Sequence, residues 1–304
     1  MPVIMLLAGI DEAGYGPTLG PLAVVATRVH ADSVAALVAG FAASSTGLAD
    51  SKRVHRPGDL GPLERVALGG LAWLTGTPPR SAAEVFALLG EEPDQRADTA
   101  WMTGADELLL PVAAAECPIW RVAGIVPAGV AGSLVQPATY NRTLRAGHNK
   151  AELELDLVGA LLTWVGAHAG EIAVDRLGGR RYYRDALQAR FPAAMILIEE
   201  ESTVLSRYRI CHEGCDQSVA FAVDGESLNP LTALASCIAK YARELHLLLL
   251  NRHWCARWPQ LKPTAGYPED ARRWLAAIGP LSPEVAHALV RTETSRERRK
   301  VASI

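Results

Sequence analysis

The chain is predicted to be an α/β protein, an α+β mixed sheet flanked by helices with a further helical part toward the C-terminal end. Three observations predict this. Short runs rich in Val, Ile and Leu alternate with longer segments of helical period. Hydrophobic residues make up 49% of the 304, enough for a core on both faces of a sheet. No repeat or low-complexity tract interrupts the alternation.

The elements follow in order. "VIMLLAGI" and "PLAVVATRV" read as adjacent strands separated by turn residues. "DSVAALVAGFAASS" has helical spacing, with Asp32 or Ser33 as its cap. Residues 55–150 are rich in Pro and Gly in their first part, with short apolar pieces such as "WRVAGIVPA". They are read as an elaboration with minor elements of its own, within a single domain spanning 1–304. "AELELDLVGALLTWVGA" is an amphipathic helix with acids near its start. "EIAVDRLGG" is a short buried strand ending in a charge and a glycine turn, "RYYRDALQARF" a helix and "AMILIEE" a strand. "SRYRICHEGCDQSVAFAVDGE" forms a hairpin whose second arm ends at Asp224 to Glu226. "NPLTALASCIAKYARELHLLLLNR" is the longest helix, with Pro230 in its first turn.

Charge and composition exclude several classes. The net charge is −3, so no global positive field draws the protein to nucleic acid, and a polyanion must be held by local basic patches or bound cations. No apolar run approaches the ~20 residues of a membrane span, and the start lacks the basic n-region of a secretory signal. A soluble, cytoplasmic protein is expected, with no membrane partner. Five cysteines, an odd number, do not form a disulfide framework. The group Cys211, His212, Cys215, His253 and Cys255 leaves a zinc site open, although the Cys-x3-Cys pair is wider than usual; the reading adopted is a hairpin turn plus buried thiols.

The chemistry is carried by acids where strands end. Asp11 and Glu12 close the first strand, Asp175 the fourth run, and Glu226 follows the second hairpin arm. Four carboxylates at the mouths of three strands repel one another unless neutralised, and oxygen-preferring Mg²⁺ or Mn²⁺ is the natural remedy. Glycines stand beside each: Gly14 and Gly16, Gly178 and Gly179, and Gly225, allowing close approach of a ligand. A dinucleotide fingerprint in "GYGPTLG" fails, because its third glycine is one residue late and a strand follows.

These residues resemble a known family. "GIDEAGYGPTLGPLAVVA" is similar to the opening motif of type 2 ribonucleases H, the ribonuclease HII family, which reads GIDE-x-G-R-G-P-x-x-G-P. "ADSKRV", "VDRLGGRRYYRDALQARFP", "GESLNPLTALASCIAKYARE" and "GYP" at 266–268 resemble its later motifs, in the family's order. The chain departs from the pattern at Tyr15, where the family has arginine, at Glu226, where it usually has aspartate, and in its longer middle segment.

The resemblance implies a ribonuclease H-like fold, a divergent member with a long central insertion, and residues 255–304 as a C-terminal helical substrate-binding portion. It implies Asp11, Glu12, Asp175 and Glu226 as catalytic metal ligands of a two-metal site for Mg²⁺ or Mn²⁺. It places Gly14, Tyr15 and Gly16 against the 2′-hydroxyl and Tyr267 against a sugar, with Lys52 and Lys240 as further nucleic-acid contacts. Glu244, inside the long helix, is read as an ion-pair partner. The basic runs "GGRRYYR" and "RERRK" suit phosphates. The expected activity is a monomeric endoribonuclease acting on RNA/DNA hybrids or ribonucleotide-containing DNA and leaving 3′-hydroxyl and 5′-phosphate ends. Two other readings stay open: a nuclease of this fold with another nucleic-acid substrate, and a non-catalytic hybrid-binding protein.

Overall fold

The computed structural model describes residues 4–292, apart from positions 57, 92, 98, 115, 167, 168, 213 and 214. The "RERRK" run lies outside the described residues. In chain order the elements are β1 (Met5–Ala13), β2 (Leu22–Ala31), α1 (Val34–Ala42), α2 (Ser51–Val54), α3 (Gly61–Thr75), α4 (Ala82–Leu88), α5 (Pro93–Ala97), β3 (Val126–Val135), α6 (Pro137–Arg145) and α7 (Lys150–Val165). They continue with β4 (Ala169–Asp175), α8 (Arg184–Arg190), β5 (Met195–Glu201), β6 (Leu205–His212), β7 (Cys215–Ala222), α9 (Gly225–Leu228), α10 (Pro230–Arg257), α11 (Pro268–Ile278) and α12 (Pro283–Leu289).

The strands form one mixed sheet in the order β3-β2-β1-β4-β7-β6-β5. Its centre, β1, β4 and β7, is parallel; the flanking pairs are antiparallel. β1 alternates its side chains between two separate cores. Leu7 and Ala13 enter the layer with α10, α3 and α4, whereas Ala8 and Ile10 enter the layer with α7 and α8. This period of two sends Asp11 toward α10 and Glu12 toward α7.

The long helix lies directly on the parallel strands. Its N-terminus is set by Asn229, whose side-chain oxygen accepts from the Leu231 N–H at 2.8 Å, and by Pro230 in the first turn. Thr27 of β2 donates its hydroxyl to the Leu231 carbonyl at 3.0 Å, and Thr232 donates to the Ala173 carbonyl of β4 at 3.3 Å. The approach is so close that a Cβ on Gly9 would stand 2.2 Å from the Thr232 nitrogen. Across the sheet, α7 opens on a capping box: Asn149 Oδ1 accepts from the Ala151 and Glu152 N–H groups, and Glu152 Oε2 accepts from the Asn149 N–H. Ser33 caps α1, accepting from the Ala36 N–H.

The segment after residue 55 is more regular than its composition predicts. α3 is a helix of 15 residues that buries Leu63, Val66, Ala67, Leu68, Leu71 and Leu74. Its glycines and N-terminal proline give it a loop's composition, and packing against α10 overrides the weak propensity. Glu64 of α3, fully buried, accepts from the Val112, Ala113 and Ala114 N–H groups at 2.7, 2.7 and 2.6 Å and from the Tyr241 hydroxyl at 2.7 Å. β3 belongs to the main sheet, where sequence alone shows an apolar fragment. It is an edge strand, so Pro127 sits where no neighbour needs its missing N–H, and the register with β2 shifts beside it. No described helix is long and apolar enough to cross a membrane.

Candidate active site

The carboxyl ends of β1, β4 and β7 carry the acids. In open α/β sheets this edge is where ligands sit, because the helices that follow leave a crevice there. β1 does not end at Asp11 as the sequence pattern suggests; it runs on to Ala13 against β2, with Asp11 opposite Val25 and Glu12 opposite Val24. Its pairing with β4 stops at Ile10. Beyond that point one flank of β1 is open, so Asp11 from the α10 face and Glu12 from the α7 face can both bend round the strand toward Asp175.

They meet. Oxygens of Asp11, Glu12 and Asp175 lie within 4.8 Å of one another, and this is the only such group of three or more His, Cys, Asp or Glu side chains among the described residues. Asp11 is 4% exposed. Its Oδ1 accepts from the Glu12 N–H at 2.7 Å, while its Oδ2 and the Oε2 of Glu12 are buried without a hydrogen-bond partner. Asp175 Oδ1 accepts from the Gly225 N–H at 2.8 Å. Burial first, then the charges of Glu12, Asp175 and Glu226, hold Asp11 well above the usual carboxylate range. Burial likewise raises Glu12 and Asp175, with Lys52 and the Gly225 N–H opposing it at Asp175. Paired buried carboxylates with orphaned oxygens fit a hard divalent cation, whose charge removes the repulsion that lifts these values.

Glu226 stands beside this group rather than in it. Its Oε2 accepts from the Ser51 N–H at 2.7 Å, holding the first turn of α2 against α9. Ser51 in turn accepts from the Lys240 ammonium and from the Ser236 hydroxyl, the latter at 3.0 Å. Lys240 is therefore engaged inside the site, and Lys52 faces Asp175 by charge. Glu244 pairs with Arg243 at 3.5 Å and His55 at 3.9 Å, at a distance from the acid group set by its own partners.

Gly14, Tyr15 and Gly16 form the turn just past β1. Gly14 has φ +89, and a Cβ there would stand 2.6 Å from the Pro21 carbonyl, so the turn requires glycine. Two buried arginines brace it. Arg291 donates from Nη1 to the Gly14 carbonyl at 2.5 Å and from Nε to the Gly20 carbonyl at 2.9 Å; Arg243 donates to the Ala265 carbonyl at 2.8 Å. The Gly266 carbonyl accepts from the Thr18 and Leu19 N–H groups, which brings Tyr267 to the same side of the molecule. Tyr267 is 55% exposed, so it is not a core tyrosine, and the Arg243 guanidinium lies 5.3 Å from its ring centroid. Tyr15 carries the Lys150 ammonium 3.9 Å over its ring.

Several residues of the site have no signal in the sequence. Glu154 of α7 is 1% exposed, both its oxygens lack a partner, and burial, then the charge of Glu12, push it up to about 8. It reads as one acid among several on an amphipathic helix, and only the packing of α7 under β1 distinguishes it. Ser51, Ser236 and Arg243 lie inside segments that resemble family motifs, but the resemblance implies no role for them, and Arg291 is silent. The cysteines are dispersed. Cys211 lies in β6, and His253 and Cys255 lie on α10, where Cys255 donates its thiol to the Leu261 carbonyl and His253 meets Arg257. Cys215 opens β7, and its side chain lies outside the described residues.

This architecture is a ribonuclease H-like α/β fold. A crystal structure of a Bst-RNase HIII mutant shares it at a TM-score of 0.50 and 19% identity, over 98% of this chain and 70% of that one. The ribonuclease H2 from Pyrococcus horikoshii aligns over 98% of both chains at 17% identity and a TM-score of 0.48. The RNase HII of Archaeoglobus fulgidus, in its complex with PCNA, aligns over 96% of this chain and 100% of its own at 15% identity and a TM-score of 0.47. No family model matches the sequence, and neither does any curated protein.

Proposed function

We propose that the chain is a divergent type 2 ribonuclease H, a metal-dependent endonuclease that hydrolyses the RNA strand of RNA/DNA hybrids or ribonucleotides embedded in DNA, leaving 3′-hydroxyl and 5′-phosphate ends. The observation that carries this reading is the meeting of Asp11, Glu12 and Asp175 within 4.8 Å at the carboxyl ends of adjacent parallel strands, with two buried oxygens unpartnered. The fold shared with Bst-RNase HIII supports it.

Asp11, Glu12 and Asp175 would hold Mg²⁺ or Mn²⁺, with Glu226 steadied at their side by Ser51. A divalent cation bound there neutralises the carboxylates and supplies Lewis acidity toward a phosphate. The chain's own groups do the rest. Gly225 fixes the orientation of the Asp175 carboxylate through its N–H. The Lys240–Ser51–Ser236 chain ties α10 to α2, so Glu226, held by the Ser51 N–H, keeps its place beside α10 when a polyanion arrives. Nothing stands within 4 Å of where a side chain on Gly16 would begin, which leaves room for a ribose against the backbone of the turn. The 2′-hydroxyl that distinguishes RNA from DNA is read there, and Tyr267 offers its exposed face to a neighbouring sugar. Lys52 supplies positive charge on the α2 side.

The test is a cleavage panel: an RNA/DNA hybrid, duplex DNA with a single ribonucleotide, plain duplex DNA and branched DNA, each with and without Mg²⁺ or Mn²⁺. Cation-dependent cutting confined to the ribonucleotide-containing substrates is expected. Cutting of plain or branched DNA alone would replace the substrate assignment, and binding without cutting would replace the enzymatic one.

A further inference from the structure

A site built of carboxylates on a chain of net charge −3 repels a phosphate backbone, so the flanks of the acid group must supply local cations. On the α10 side Lys240 is held on Ser51. On the α7 side stands Lys150, the first residue of α7, with its ammonium 3.9 Å over the Tyr15 ring. Tyr15 lies three residues beyond Glu12, in the turn where the ribose is expected, and its ring packs on the core beneath α7. Four residues on, one helical turn along the same face, is the buried Glu154. Lys150 and Arg180 both lower the raised proton affinity of that carboxyl, so both stand near Glu154.

The backbone of the α7 terminus is not the anion site. The Ala151 and Glu152 N–H groups are taken by the Asn149 side chain and the cap N–H by Glu152. What α7 presents toward the turn is the lysine side chain, and a flexible four-carbon arm is steered there by the aromatic face. We propose that Lys150, seated on Tyr15, is the cation that takes the backbone phosphate adjoining the ribonucleotide, and that Tyr15 is its platform. This rests on the ribonuclease reading above. It makes Lys150 a substrate-positioning contact supplied from a second element, where the turn itself carries no charged side chain.

The experiment is metal-free binding of a short RNA/DNA hybrid, measured across a range of salt concentrations, for the wild type, Lys150→Ala, Lys150→Arg and Tyr15→Leu, with thermal stability recorded alongside. Lys150→Ala should lower affinity about tenfold at low salt and reduce the slope of log K against log salt by about one, the loss of one phosphate contact. Lys150→Arg should restore both. Tyr15→Leu should weaken binding while leaving the slope near that of the wild type. A Lys150→Ala protein with wild-type affinity and slope overturns this proposal alone, as does an affinity loss that Arg fails to rescue and that tracks a fall in melting temperature. A wild type that binds no hybrid either without metal or with Ca²⁺ present overturns the ribonuclease reading together with it.

Discussion

Glu154 is a carboxyl without a hydrogen-bond partner in the α7 layer, and its burial has a thermodynamic sign. In the folded chain its pKa is pushed up to about 8, against 4.5 in its ordinary state. Below pH ~4.5 it is protonated folded or unfolded, and its full stabilising contribution is present. As pH rises toward 8 the unfolded chain ionises while the folded one does not, so stability falls by up to about 1.4 kcal/mol per pH unit, levelling above 8. Asp11, Glu12 and Asp175, raised for the same first cause, act in the same direction. Glu154→Gln, a neutral stand-in, should therefore gain melting temperature relative to the wild type between pH 5 and 9. Parallel melting curves across that range would show that Glu154 is not held protonated. The neighbouring acids give a second expectation: millimolar Mn²⁺ should raise the wild-type melting temperature, by about 3 kcal/mol of stabilisation at a hundredfold excess over Kd. Asp11→Asn should lose most of that gain while melting no lower than the wild type without metal.

Among the elements, those with a clean period are the legible ones. β1, β2, α1, α7 and α10 follow from apolar runs, from Ser33 before α1 and from Pro230 in the first turn of α10. α3 and β3 are hidden for opposite reasons. α3 has the length of a helix but the glycines of a loop, and contacts with α10, invisible in the sequence, stabilise it. β3 carries a proline and two glycines that only an edge position accommodates. What holds α3 to the segment at 112–114 and to α10 is Glu64, a buried carboxylate with four donors. Glu64→Ala leaves three backbone N–H groups and a tyrosine hydroxyl unpaired, at about 1–3 kcal/mol each if none is rewatered. A loss of at least about 3 kcal/mol in chemical denaturation is expected. A loss under about 1 kcal/mol would mean that the insertion does not depend on this carboxylate.

At the scale of the whole molecule the sheet's topology assembles the site. Three parallel strands at its centre deliver their carboxyl ends to one edge, and β4 ends where Asp11 and Glu12 begin to turn. The acids at those ends are readable in the sequence because charge following a buried apolar run is conspicuous. Their convergence is not readable, since Asp11 and Glu12 point to opposite faces and come together only because β1 outruns its pairing with β4. Lys150, Glu154 and Arg291 are further still from view: the first two sit on a helix across the sheet, and the third reaches the Gly14 turn from 277 positions away. On the proposed reading, this edge is the cation-dependent hydrolytic centre of a ribonuclease. Cleavage of an end-labelled RNA/DNA hybrid by the wild type and Asp11→Asn, side by side, with Mg²⁺ or Mn²⁺ and after chelation, puts that reading to the test. The prediction is cutting of the RNA strand by the wild type with cation only, and none by Asp11→Asn although it remains folded; cutting by Asp11→Asn at the wild-type rate, or undiminished cutting after chelation, would contradict it.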